Sequence, residues 1–154
     1  MMSGKKTYPG YFTAVLTNRC PRCREGKIYE VDNAYKLKTC LKMREACPVC
    51  GQPTEIEVGF YYGTGYVSYA ISVLVCVFSF IIWWLIIGFS LKDARLFWWL
   101  AFNTVLLIGL QPLLMRLSRT LWLSWFVRYD PYWKERQIDK NNLDRIVPEQ
   151  MGNW

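Results

Sequence analysis

Apolar positions in this chain fall into two long blocks in its second half, preceded by scattered islands. From Val58 to Leu91, 34 consecutive residues carry no charge. Within that stretch, Val67 through Phe89 form a 23-residue run with fourteen Ile, Leu, Val or Phe, broken only by small or weakly polar residues. As an α-helix rising ~1.5 Å per residue, the run is ~34 Å long and crosses a ~30 Å hydrocarbon layer with some tilt. Fourteen such side chains favour insertion by about 4 to 8 kcal/mol before position is discounted. The spacing therefore predicts a first span over 67–89.

Six residues, Ser90 to Arg95, then break the apolar pattern with Lys92, Asp93 and Arg95, and read as a tight turn. The pattern resumes at Leu96 and runs without charge to Met115, which predicts a second span over 96–115. This span is the weaker one, because Asn103, Gln111 and Pro112 lie inside it. Asn103 and Gln111 are eight residues apart, about 80° around a helix, so both can face a protein partner rather than lipid. Pro112 is expected to bend the helix or loosen its last turn. The apolar stretch after Arg116 is too short to cross again and is expected to continue as helix in the headgroup layer, up to about residue 133. Residues 134–154 are polar and charged, and a solvated tail is expected there. On the first span, Ser68, Ser72 and Ser79 lie roughly on one stripe that can pack or hydrogen-bond near Asn103, and Cys76 is a lipid or helix contact.

Residues 1–64 are different. Short apolar islands (Ile28, Tyr29, Val31; Tyr35, Leu37; Leu41, Met43) stand among charges, and they read as short strands and knuckles. A lobe of about sixty residues with so few apolar side chains cannot enclose a useful core, so something must cross-link it. The cysteines supply the means. Cys20-Pro21-Arg22-Cys23 and Cys47-Pro48-Val49-Cys50-Gly51 are two C-x-x-C knuckles 23 residues apart, the second with a glycine that lets backbone N–H groups turn toward the thiolates. Four sulfurs at this spacing suit a structural tetrahedral zinc, whose binding, of order 10–16 kcal/mol in zinc-finger peptides, exceeds anything the islands supply. Iron in a four-sulfur site satisfies the same spacing. A dithiol redox site would need a thioredoxin-like βαβ frame, which is not visible around either pair. A catalytic zinc usually takes histidine or carboxylate ligands, and the chain has no histidine. Cys40, outside either pair, reads as a small semi-buried side chain rather than a fifth ligand.

Composition and charge then set the orientation. Hydrophobic residues make up 53% of the 154 and charged ones 20%, which excludes a disordered or fibrous chain. The 19 Lys and Arg against 12 Asp and Glu leave a net charge of +7. Ten of the basic residues precede the first span, two lie in the turn and seven follow the second span. That asymmetry predicts both termini in the cytoplasm, where thiols stay reduced. Two aromatic belts agree: Trp83, Trp84, Trp98 and Trp99 at the outer level, and Tyr61, Tyr62, Tyr66, Tyr69, Trp122, Trp125 and Tyr129 at the inner one. The polar start, Met1 to Lys6, argues against a cleavable secretory signal. Topology explains the basic excess more simply than nucleic-acid binding, for which no reading helix or stacking sheet is recognisable. With no ionisable residue inside either span, a proton or ion pathway built from this chain alone has little to stand on.

The first knuckle followed by Gly26-Lys27-Ile28-Tyr29, then Tyr35-Lys36-Leu37-Lys38, the second knuckle, Gly59-Phe60-Tyr61-Tyr62-Gly63 and Val67-Ser68-Tyr69-Ala70 resembles the bacterial family known as domain of unknown function 983. Ser118-Arg119, Trp122 and Phe126-Val127-Arg128-Tyr129-Asp130 are similar to its Bacteroidetes form, so the likeness covers about Arg19 to Asp130. Cys40 departs from it. The resemblance implies a small inner-membrane protein with a cytoplasmic zinc-ribbon-like head, in some cases encoded near haem-copper oxidase genes, and it supplies no catalytic residues. The expected fold is thus a membrane α-helical hairpin carrying a small zinc-ribbon-like lobe, with Cys20, Cys23, Cys47 and Cys50 as metal ligands. The expected function is that of a non-enzymatic accessory or assembly protein docking to a larger membrane complex, with other membrane subunits and the lipid bilayer as partners and no small-molecule substrate. A membrane-tethered zinc ribbon that binds nucleic acid or a regulator is the alternative. An oligomeric channel would need a ring of polar residues from repeated copies of the second span.

Overall fold

A computed structural model describes residues 9–88, 94–136 and 138. The expected turn at Ser90 to Arg95, apart from its last two residues, the polar start Met1 to Lys6, and the tail beyond 138 lie outside the described residues.

The described residues form three α-helices, α1 (Tyr11–Leu16), α2 (Thr64–Ile87) and α3 (Arg95–Phe126), with a 3-10 turn at Phe60–Gly63 leading into α2. The uninterrupted apolar run dictates α2, which starts at Thr64, whose hydroxyl donates to the Tyr61 carbonyl at 2.6 Å, and stops at Gly88, whose φ of +80° leaves helical geometry. α3 has 32 residues, ~48 Å, and passes through Pro112 without interruption. Pro112 removes one N–H, yet the helix continues through it to Phe126. Both α2 and α3 are long and apolar enough to cross a membrane, and none of the most apolar stretch of α2 is buried within the chain.

The two long helices pack antiparallel. Trp83 stacks on Phe102 and Phe80 meets Trp99 edge-on, which joins the C-terminal half of α2 to the N-terminal third of α3. Deeper in, the Ser79 hydroxyl donates to Asn103 Oδ1 at 3.0 Å and Asn103 Nδ2 to Cys76 Sγ at 3.2 Å. Asn103 is therefore buried between the helices, not turned to a partner, while Gln111 is exposed. Of the serine stripe, Ser79 makes the helix-to-helix bond, and Ser72 bonds back to the Ser68 carbonyl.

Instead of strands, the described part of the lobe has three isolated antiparallel bridges: Arg19 with Lys27, Ala46 with Pro53, and Tyr29 with Met43. The first two close the base of one knuckle each, and the third joins the halves. A chain that must turn sharply twice around one centre has too few residues between turns for a longer ladder.

The main core lies between the lobe and the C-terminal end of α3. Ile28, Tyr29, Ile56 and Phe60 of the lobe region pack with Leu123 and Val127 around Cys20, Cys23 and Cys47, and Trp122 and Trp133 cover its edge. Trp122 Nε1 donates to the Phe60 carbonyl at 2.8 Å, Thr120 bonds Asn18 at 3.0 Å, and Tyr11 bonds Ser124 at 2.9 Å. The missing core is thus completed by α3 as well as by the cysteines.

Candidate metal centre

Both knuckles follow one backbone plan. In the first, the Cys20 N–H donates to Gly26 O (2.7 Å) and the Arg24 N–H to Cys20 O (2.8 Å). In the second, the Cys47 N–H donates to Gln52 O (2.8 Å) and the Gly51 N–H to Cys47 O (2.9 Å). The residue after each second cysteine takes the left-handed conformation: Gly51 at φ +70°, and Arg24 at +58°. Glycine adopts it freely, whereas the arginine is held there by its guanidinium, 4.0 Å from the Tyr129 ring and bonded to the Pro9 carbonyl. Gly26 has a second constraint: a Cβ there would collide with the Cys47 sulfur.

The knuckles bring all four predicted ligands together. Cys20 Sγ stands 3.7 Å from Cys50 Sγ, Cys23 Sγ stands 3.7 Å from Cys47 Sγ, and all four sulfurs lie within 4.8 Å of one another. Tetrahedral coordination at a zinc–sulfur distance of ~2.3 Å requires sulfurs ~3.8 Å apart, so the cluster fits a metal ion. None of the six cysteines is in a disulfide. The Gly26 N–H points at Cys23 Sγ at 3.5 Å. Hydrogen bonds among the thiols, Cys20 first, push Cys23 down and hold Cys47 at about 7, while Cys20 is raised, chiefly by its bond to Cys23. A bound cation would draw the protons off all four thiols.

Cys40 lies outside the cluster: it is buried, and its thiol donates to the Leu37 carbonyl at 3.3 Å. Cys76 is a helix contact, bonded to Asn103.

The residues not anticipated from sequence are the arginines of α3. Arg116 is 2% exposed; its Nε donates to Cys40 O (2.7 Å), one terminal nitrogen to Asp32 O (2.9 Å) and the other to Asn33 O (3.1 Å). Its guanidinium lies 4.7 Å from the Tyr29 ring, and the Tyr29 hydroxyl donates to the Arg116 carbonyl at 3.0 Å. One turn on, Arg119 donates to Leu41 O at 3.0 Å and faces the Tyr61 ring. The available signal was two arginines three apart just past an apolar run, hence on one helix face. On the lobe's far side Arg22 donates to Arg136 O at 2.9 Å and pairs with Asp130 at 3.8 Å, tying in the chain after α3.

Comparison of the chain with protein-family models, curated proteins and solved structures finds no match. The family resemblance therefore rests on the motifs quoted above.

Proposed function

We propose that this chain is a non-enzymatic integral membrane accessory or assembly protein of the bacterial inner membrane. In this reading α2 and α3 cross the bilayer with both termini in the cytoplasm, and the lobe holds a structural zinc at the cytoplasmic face. The observation that carries it is the four-thiol cluster seated on the end of α3, which would make the lobe a rigid body in fixed register with the hairpin. Zinc suits a centre enclosed by core side chains because it is redox-inert and four-coordinate, whereas iron would add a visible absorption. Gln111, exposed on an otherwise apolar stretch of α3, supports docking to other membrane subunits, since an amide costs less against a partner helix than against lipid. A respiratory oxidase is one candidate complex, on the strength of the family resemblance. Arg22, Arg24, Arg116 and Arg119 are all engaged within the chain, which withdraws these four from the phosphate contacts the nucleic-acid alternative requires.

Purification of the tagged full chain in mild detergent, with mass spectrometry and elemental analysis, tests the reading. Stoichiometric membrane partners and one zinc per chain are expected. Gln111→Leu should lower partner recovery at unchanged zinc content. A lone, metal-free protein would overturn the reading.

A further inference from the structure

The loop between Glu30 and Lys42 is a compact excursion whose ends are closed by the Glu30 N–H to the Lys42 carbonyl at 3.2 Å. Inside it the Tyr35 N–H bonds Asn33 Oδ1 at 2.9 Å, the Cys40 thiol bonds the Leu37 carbonyl, and Arg116 clamps the carbonyls of Asp32, Asn33 and Cys40. The loop is thus fixed against α3, and its tip reaches along that helix. The Tyr35 hydroxyl donates to the Gly109 carbonyl at 3.1 Å. Gly109 is seven residues, ~10 Å along the axis, from Arg116 toward the outer end and lies inside the charge-free run 96–115. The tip carries Tyr35 and Leu37, 58% and 73% exposed, and the exposed Lys36 and Lys38 alternate with them.

We infer that this loop dips into the cytoplasmic leaflet, Tyr35 and Leu37 entering the acyl boundary and Lys36 and Lys38 reaching back to anionic headgroups. The inference rests on the reading that α2 and α3 cross a bilayer. Given that, the tip stands at a depth where water is scarce, beside the exposed apolar side chains Val105 and Ile108 of α3. Ile108 adjoins Gly109, the residue whose carbonyl accepts the Tyr35 bond. The lysines match the negative potential of an inner leaflet, and their aliphatic stems allow the ammonium groups to snorkel. The same loop shields the Arg116 charge, which would otherwise meet hydrocarbon at the end of the span.

Photo-crosslinking of the full chain in nanodiscs of phosphatidylcholine and phosphatidylglycerol tests this, with p-benzoylphenylalanine placed singly at Leu37, at Phe78 on the exposed face of α2, and at Tyr132 beyond α3. Lipid adducts are expected at 37 and 78 and not at 132. Adducts at 78 with none at 37, or crosslinks from 37 to protein in native membranes in place of lipid, would overturn the inference and leave the span reading standing. Absence of adducts at 78 would overturn the span reading itself. Lys36→Glu with Lys38→Glu should lower the phosphatidylglycerol share of the adducts at 37 by about fivefold for each lysine. An unchanged share would overturn the assignment of the lysines to headgroups.

Discussion

In the lobe polar groups do the holding: four thiols converge on one centre, and a single arginine gathers three backbone carbonyls from one loop. The hairpin is built the other way. α2 buries only Thr64 and Val67, no residue of its most apolar stretch is fully buried, and the helices join through aromatic contacts, the Asn103 knot and a bond from Arg95 to the Ile87 carbonyl. The lobe obtains its order from an apolar core packed around the thiols and from carbonyl capture by Arg116. On the proposed reading the hairpin's exposed surface meets an apolar solvent, where the hydrophobic effect between helices vanishes and packing with occasional hydrogen bonds remains.

The contrast breaks most sharply at the cysteines. Cys20→Ser or Cys50→Ser should remove metal-derived folding energy of order 10 kcal/mol, unfolding the lobe and lowering abundance, while Cys40→Ser should be mild. Elemental analysis and cellular protein level are the readouts, and equal behaviour of all three variants would remove the metal assignment. Chelation of the wild-type protein should reproduce the Cys20 phenotype and leave helix content largely intact by circular dichroism.

Next in size is Arg116→Met, which strands three carbonyls and should cost about 3–5 kcal/mol. Hydrogen exchange should rise across residues 30–42 and not in α2. Arg116→Lys should recover only part of the loss, because an ammonium lacks the planar fork that reaches all three acceptors.

A pH measurement sharpens the same region. Burial pushes the Tyr29 phenol up to about 12, with Arg119 and Arg116 opposing it. Its folded pKa is raised above the ordinary value near 10, so its contribution is whole below pH 10 and is lost as pH rises through 12. Roughly 3 kcal/mol is at stake over that window. Alkaline unfolding of Tyr29→Phe should show a shallower limb than wild type, although this variant starts less stable for want of the bond to Arg116. An identical slope would count against the burial.

The smallest effect is expected in the hairpin. A double-mutant cycle of Ser79→Ala and Asn103→Leu should give a coupling of about 0.6 kcal/mol, the usual size for interhelical bonds in membranes, read by unfolding in detergent. A coupling as large as the Arg116 effect would abolish the contrast.

What the sequence discloses follows the same division. The knuckles and the apolar runs are legible because each depends on side-chain type at fixed spacing: two C-x-x-C pairs, and long stretches without charge. The left-handed Gly51 was likewise readable, whereas Arg24 in the same conformation was not, since arginine carries no turn signature. Docking of the lobe was illegible for a deeper reason. Arg116 bonds main-chain carbonyls of residues 76 to 84 positions away, and every residue offers such an acceptor, so no pattern of side chains marks the partner. Strands were expected from the apolar islands, but those side chains serve a core shared with Leu123 and Val127 rather than a ladder.

Because that core is shared, the centre is unfinished when its own residues are made. Leu123 follows Cys50 by 73 residues, an interval of about 4–15 s at translation rates of ~5–20 residues per second. Until α3 is made, the thiols lack the Leu123 and Val127 side chains that pack beside them in the folded chain. Maturation of the head is thereby timed by synthesis of the helix that follows it.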